Sequence, residues 1–208
     1  MPKTLIKTVT AYKFFELSPE AKKTALAKMA DINVDYPEWY ENYFDDYRTI
    51  GKIIGIDIEE IYFSGFSSQG DGACFDGHYE YAKNSVKKIK AYGPTDKKLH
   101  FIAENLFTLQ KENRWRIGAN IRHSGHYYHA FCTDIDVSLR DKDGYFNDYD
   151  DCSKEITEQT KILLRDFMNW IYRSLEKEYE YLTSEKSIIE SIEANDYDFT
   201  IEGNFPAI

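Results

Sequence analysis

The 208-residue sequence has no CxxC pair, no run of about 18 apolar residues and no standard catalytic signature, and each absence removes a class of protein. Its three cysteines, Cys74, Cys132 and Cys152, form an odd and widely spaced set, which fits reduced thiols rather than a disulfide framework or a zinc knuckle. Without a long apolar run no membrane span is expected. The opening MPKTLIKTVTAYKFF does not read as a secretory signal, so the expected location is the cytoplasm. Internal repeats and low-complexity tracts are also missing.

What is present is the composition of a folded protein. Hydrophobic residues make up 42% and charged residues 30%, with 17 Tyr and 13 Phe. The length suits a single α+β domain over 1–208, with a helical N-terminal layer at 1–57 and a sheet plus long helix at 58–202. The net charge of −10 is uneven. Residues 31–60 hold nine acids against two bases, 134–151 seven against two, and 176–208 nine against two, while 83–116 hold nine bases against three acids. Such a chain repels nucleic acid and is steered toward basic protein surfaces. Each acidic run taken singly also reads as a solvated helix face.

The hydrophobic period sets the expected elements. Ser18 caps and Pro19 opens a first helix over about 18–31, and after Pro37 the spacing of Tyr40, Phe44, Tyr47, Ile50 and Ile54 predicts a second, ending at Gly55. From Ile58 the period shortens to two, which predicts strands at 58–66 and 72–81. A helix follows from Thr95 to Gln110, then strands at 114–122 and 126–139 about an HSG turn. DKDGYFNDYDD reads as a polar loop. Ile156, Leu163, Phe167, Ile171, Leu175 and Leu182 form the stripe of a helix at about 153–182, expected to pack on an antiparallel sheet of four to five strands. Ser184 caps a last helix to about Ala194, and YDFTIEG returns as an edge strand.

Two stretches carry polar groups dense enough for chemistry. In FSSQGDGACF, residues 66–75, the glycines at 65, 70 and 72 suit a chain reversal that needs positive φ or room for a bulge. A nucleophile at Ser67 or Ser68 lacks the G-x-S-x-G elbow, and a phosphate cradle lacks the helix that should follow the glycines. A binding role for Ser67, Ser68, Gln69 and Asp71 at a hairpin tip stays open. The second stretch, HSGHYYH, places His123, His126 and His129 near Asp134, a possible metal set. On a strand, however, His126 and His129 would point to opposite faces. Tyr127 and Tyr128 with Arg114, Arg116 and Arg122 allow base stacking, which the acidic total opposes.

The runs IYFSGFSSQGDGACF at 61–75, GHYYH at 125–129, and FMNWIY at 167–172 leading to EYEYLTS at 178–184 resemble a family of phage and prophage proteins, sometimes carried under an antitoxin label. The resemblance covers about residues 36–202, and no catalytic or binding residue is carried over from it. It implies a mobile-element setting in a bacterial host cell, where small proteins antagonise a host defence, for example CRISPR-Cas, or a toxin. Two functions then compete. One is a non-enzymatic inhibitor, without cofactor, that binds a host or element protein, including one that holds nucleic acid. It would use Glu41, Asp45, Asp46, Glu178 and Glu185 on acidic faces and Ser67, Ser68, Gln69 and Asp71 at the tip. The other is a small metal-dependent hydrolase or nuclease built on His123, His126, His129 and Asp134.

Overall fold

The computed structural model describes residues 8, 10–140 and 152–206. The polar loop expected at DKDGYFNDYDD lies outside the described residues. Contacts divide the chain into two compact units, Tyr40–Glu176 and Met1–Trp39 with Lys177–Ile208.

The larger unit is the α+β architecture that the change of hydrophobic period predicts. Helix α2 spans Glu38–Ile54, α3 Ser85–Tyr92, α4 Lys97–Glu112 and α5 Lys154–Leu182, the first two residues of α2 and the last six of α5 belonging to the smaller unit. Strands β2 at Ile56–Phe63, β3 at Ala73–Tyr79, β4 at Ile117–His123 and β5 at Thr133–Leu139 form an antiparallel sheet in the order β2-β3-β4-β5. Ile61 faces Phe75, Gly77 faces Ile121, and Ile121 faces Ile135 in the ladders. A register shift between Ile58 and Glu60 leaves both Glu59 and Glu60 exposed and returns Ile61 to the buried face.

The long helix packs on this sheet. Phe167 meets Phe75 edge-on at 5.9 Å, and Leu164, Phe167, Met168, Ile171 and Leu175 are buried with Ile56, Phe75, Tyr79, Ile117 and Ile121. Asp96 begins α4 with one carboxylate oxygen, which accepts the Leu99 N–H at 2.9 Å, and takes the Trp170 indole N–H on the other at 2.7 Å. That second bond ties the helix start to α5.

Several expectations change here. The basic stretch after Lys83 is itself a helix, α3, whose buried Ile89 is too isolated in sequence to show a stripe. Arg114 and Trp115 adopt positive φ of 55° and 63°, so β4 begins at Ile117 rather than 114. The buried Gln110 side chain bonds both the N–H and the carbonyl of Ile117, at 3.2 and 2.7 Å, which anchors that strand end. Most consequentially, β5 starts at Thr133 and not at 126, so the histidine stretch is loop and its apparent alternation is not a strand pattern.

The smaller unit holds β1 at Tyr12–Lys13, a 3-10 turn at Phe14–Glu16, α1 at Pro19–Lys28, α6 at Glu185–Ala194 and β6 at Asp198–Phe199. Ser18 caps α1 through the Ala21 N–H at 3.2 Å, and Ser184 caps α6 through the Ser187 N–H at 3.3 Å. Phe14, Leu17, Ala21, Ala25, Met29, Ile188, Ile192 and Phe199 form its core. The expected edge strand is β6, but it pairs with β1 in a separate two-stranded ribbon, Tyr12 opposite Phe199.

Candidate functional site

Antiparallel order makes β2 and β4 parallel to each other, so the loops that follow them leave the same end of the sheet. Residues 64–72 are closed by the Ser64 N–H on the Gly72 carbonyl at 3.1 Å, and residues 124–132 by the Ser124 N–H on the Cys132 carbonyl at 2.8 Å. The loops interlock. Gly70, at φ +95°, lies against the Tyr127 ring, where an added Cβ would be 3.0 Å from Cδ1. Gly72 lies against His129, where a Cβ would be 2.5 Å from its Cβ. Of the three glycines expected to serve the reversal, Gly70 supplies positive φ and Gly72 supplies room, whereas Gly65 has only an Asp71 oxygen 3.6 Å from its Cβ position.

Helix α5 supports both loops. Tyr172 donates its hydroxyl to the Gly65 carbonyl at 3.3 Å and stacks on Phe66 at 5.5 Å. Arg165 donates to the Ala130 carbonyl at 3.3 Å and lies 5.1 Å over the Phe131 ring. The stretches 61–75, 125–129 and 167–172, far apart in sequence, therefore meet in one place. They leave a depression of about 570 Å³ whose lining includes Gln69, Tyr127, His129, Phe131 and Asn169. Tyr127 and Phe131 stand 54% and 74% exposed on this support.

The next residue, Tyr128, belongs to a second depression of about 630 Å³ between α2 and β2. Its lining includes Tyr40, Tyr62 and Tyr128 with Phe44 and Phe63, and its charged groups are Glu41, Asp45, Glu60 and Arg48. Tyr62 stacks on Tyr128 at 5.6 Å and donates its hydroxyl to Asp76 at 3.0 Å. Burial, then that bond, pushes the Tyr62 phenol up to about 12, so it stays a donor at neutral pH. The other Asp76 oxygen accepts the His123 N–H. The β3–β4 ladder pairs Gly77–Tyr79 with Ala119–Ile121, so this carboxylate joins the two strands beyond it.

The residues singled out from sequence separate into groups. Glu41 and Asp45 line the second depression, and Asp45 also pairs with Arg48 at 3.0 Å. Asp46 accepts the Tyr92 hydroxyl, which raises the Tyr92 pKa. Ser67, Ser68 and Gln69 are exposed at the tip. Asp71 turns inward, one oxygen accepting the Ser67 and Ser68 N–H groups at 2.9 and 2.6 Å. Glu178 and Glu185 lie in the smaller unit, Glu185 exposed in the first turn of α6.

The histidines build the loop. His123 Nε2 lies 3.2 Å from the Tyr127 carbonyl, which can only accept, so that nitrogen carries a proton. His129 Nδ1 accepts the Phe131 N–H at 3.1 Å, which in the neutral ring places the proton on Nε2, 3.4 Å from Cys132 Sγ. Asp134 sits opposite Arg122 in the ladder. His123, His126, His129 and Asp134 are not gathered: among the described residues no group of three or more His, Cys, Asp or Glu could hold a metal ion. Burial pushes the Cys74 thiol up to about 12, which leaves it protonated and unreactive at neutral pH.

Sequence reasoning misses Glu60, Tyr62, Phe131 and Asn169. An aromatic next to the inward Ile61 is the signal for Tyr62, whereas Phe131 is hidden by the false strand pattern.

No helix among the described residues is long and apolar enough to cross a membrane. A family model described as Domain of unknown function (DUF8835) matches residues 39–185. No curated protein and no solved structure matches the chain.

Proposed function

Since the chain belongs to the DUF8835 family, whose description assigns no activity, we propose a function from the site alone: a non-enzymatic binding protein that recognises another protein through its two hairpin tips. One observation carries this reading. Tyr127, Tyr128 and Phe131 are 54%, 38% and 74% exposed on loops held by each other and by α5. Large aromatics are enriched among the anchors of protein interfaces, and a support already held by its own contacts loses less entropy when a partner docks. The neighbouring carboxylates Glu41, Asp45 and Glu60 favour a partner with a basic surface, including one that normally holds nucleic acid.

The resemblance to phage and prophage proteins supplies the setting. In it the chain acts in the cytoplasm of a bacterial host as an inhibitor of a defence protein or a toxin. Co-expression in bacteria carrying defined defence systems or toxins tests this. Wild-type chain should relieve restriction or toxicity and copurify with the inhibited protein, and a folded Tyr127→Ala/Phe131→Ala chain should do neither. Metal-dependent cleavage of nucleic acid by the purified chain, abolished by His129→Ala, would instead establish the hydrolase or nuclease.

A further inference from the structure

We infer that the depression between α2 and β2 is a receptor for an arginine side chain of the partner protein. This rests on the protein-binding reading above and assigns it a specific contact. The three carboxylates Glu41, Asp45 and Glu60 face one guanidinium, Arg48, and that guanidinium is already paired with Asp45 at 3.0 Å. The lining thus keeps two carboxylates in excess of cations. A depression that joins this excess to three tyrosines suits a cation, because aromatic rings and carboxylates attract it together.

The three tyrosines are each held by neighbours within the chain. Tyr40 is held edge-on by Phe63 at 5.0 Å and rests on Phe44 at 5.2 Å. Tyr62 is anchored at its hydroxyl by Asp76, and Tyr128 stacks on it with an interplanar angle of 18°. Pre-set aromatics lose little rotamer freedom on binding, and this matters for a ligand as small as one side chain. A space of about 630 Å³ accommodates a whole side chain together with its alkyl stem.

Arginine fits these features better than lysine. A guanidinium is planar and weakly hydrated, so it can stack on a tyrosine while its N–H fork reaches a carboxylate. An ammonium keeps its water more tightly and has no plane to lay against the ring. A partner's arginine also carries no free carboxylate, whereas the free amino acid would bring one toward Glu41 and Glu60.

Titration of the full-length, isotope-labelled protein with capped amino acids tests the assignment by NMR. N-acetyl-arginine amide should give saturable shifts at Glu41, Glu60 and Tyr128 with a dissociation constant of about 1–10 mM, the strength of one well-placed side chain. N-acetyl-citrulline amide, the neutral isostere, should bind at least about tenfold more weakly, and N-acetyl-lysine amide and free arginine about threefold more weakly or worse. Glu41→Gln/Glu60→Gln should weaken the arginine amide about tenfold, and Asp57→Asn, elsewhere on β2, should change nothing. Equal binding of citrulline or lysine, tighter binding of free arginine, shifts elsewhere on the surface, or an unaffected glutamine variant each overturns the assignment. A partner complex that forms while the arginine amide fails to bind removes only the arginine site. Arginine binding without any protein complex removes the binder and leaves the site.

Discussion

Gly72 and His129, on different hairpins, approach so closely that a Cβ at residue 72 would lie 2.5 Å from His129 Cβ and 2.7 Å from its Cα. Backbone stands on the far side, so no side-chain rotation relieves the clash. Gly72→Ala should therefore cost about 2–3 kcal/mol and lower the melting temperature by several degrees. Gly65→Ala, whose Cβ would meet only an Asp71 oxygen at 3.6 Å, should stay within about 0.5 kcal/mol of wild type. Thermal unfolding followed by circular dichroism compares them. Equal melting temperatures for the two variants would mean that the tips are not interlocked.

Asp71 and the two serines it holds make opposite predictions. Its carboxylate accepts the Ser67 and Ser68 N–H groups at 2.9 and 2.6 Å, in the manner of a helix cap. Asp71→Ala should cost about 1–2 kcal/mol and speed amide exchange at residues 67 and 68, while Asp71→Asn, which keeps an acceptor, should cost less. Ser67→Ala and Ser68→Ala leave the bonded backbone intact and should be neutral within about 0.5 kcal/mol. Urea unfolding together with hydrogen exchange reads both effects.

How far the sequence reveals this molecule depends on which interactions are local. The stripe of α5 and the caps at Ser18 and Ser184 are set within a few residues. The structure buries the stripe from Leu163 to Leu175, leaves its expected ends Ile156 and Leu182 half-buried, and places both caps where the spacing predicts. The end of β4 is set by Gln110, a residue that as sequence is simply the last turn of a helix. Likewise HYYHAFC alternates as a strand would. It is kept a loop by the Cys132 N–H on the His129 carbonyl and by Arg165, 35 residues away, on the Ala130 carbonyl. The three carboxylates of the second depression all fall in the acidic run 31–60, from which the sequence singles out only Glu41 and Asp45. Glu60 joins them because a register shift in β2 turns two successive glutamates outward.

Protons on Cys74 and Tyr62 contribute to the alkaline limit of stability, as does the proton on the buried Tyr79 phenol, whose pKa burial also raises. Burial holds the Cys74 thiol up to about 12 from an ordinary 9.0, and burial with the Asp76 bond holds the Tyr62 phenol up to about 12 from 10.0. The folded chain binds both protons more tightly than the unfolded chain does. Their contribution is therefore complete below pH 9 and is lost as the pH rises from 9 toward 12. Denaturation midpoints should be level through neutral pH as far as these groups are concerned, then fall. Cys74→Ala should flatten the early part of that fall, between about pH 9 and 10, and Tyr62→Phe should lessen the slope above 10, where Cys74 and Tyr79 still contribute. An unchanged slope in either variant would remove that group from the account.

Asp96 has two partners, so its variants separate two contributions. Trp170→Phe removes the 2.7 Å indole bond and leaves the cap on Leu99, and should cost about 1–2 kcal/mol. Asp96→Ala removes both and should cost about 2–3 kcal/mol, since the first turn of α4 loses its acceptor as well. Asp96→Ser can still cap but cannot reach the indole, so it should fall near Trp170→Phe. Chemical denaturation of the three variants checks the order, and a Trp170→Phe loss equal to that of Asp96→Ala would show that the cap contributes nothing.

The binding reading assigns different kinetic roles to charge and to aromatic surface. Glu41 is exposed at the mouth of the second depression, and its field reaches a basic partner before contact. Glu41→Lys should slow association several-fold at low salt and change dissociation little, and the difference should shrink as salt screens it. Phe131 is 74% exposed and touches the rest of the chain mainly through the His129 ring and the Arg165 guanidinium. Phe131→Ala should leave folding nearly unchanged, because the packing it gives up is partial. An aromatic anchor buried on docking resists separation, so dissociation should quicken about tenfold with association unaltered. Surface plasmon resonance against the protein recovered by co-expression, at two salt concentrations, measures both rates for both variants. Salt-independent association, or a Phe131→Ala chain that dissociates like wild type, would place the interface away from these two depressions and on another face of the molecule.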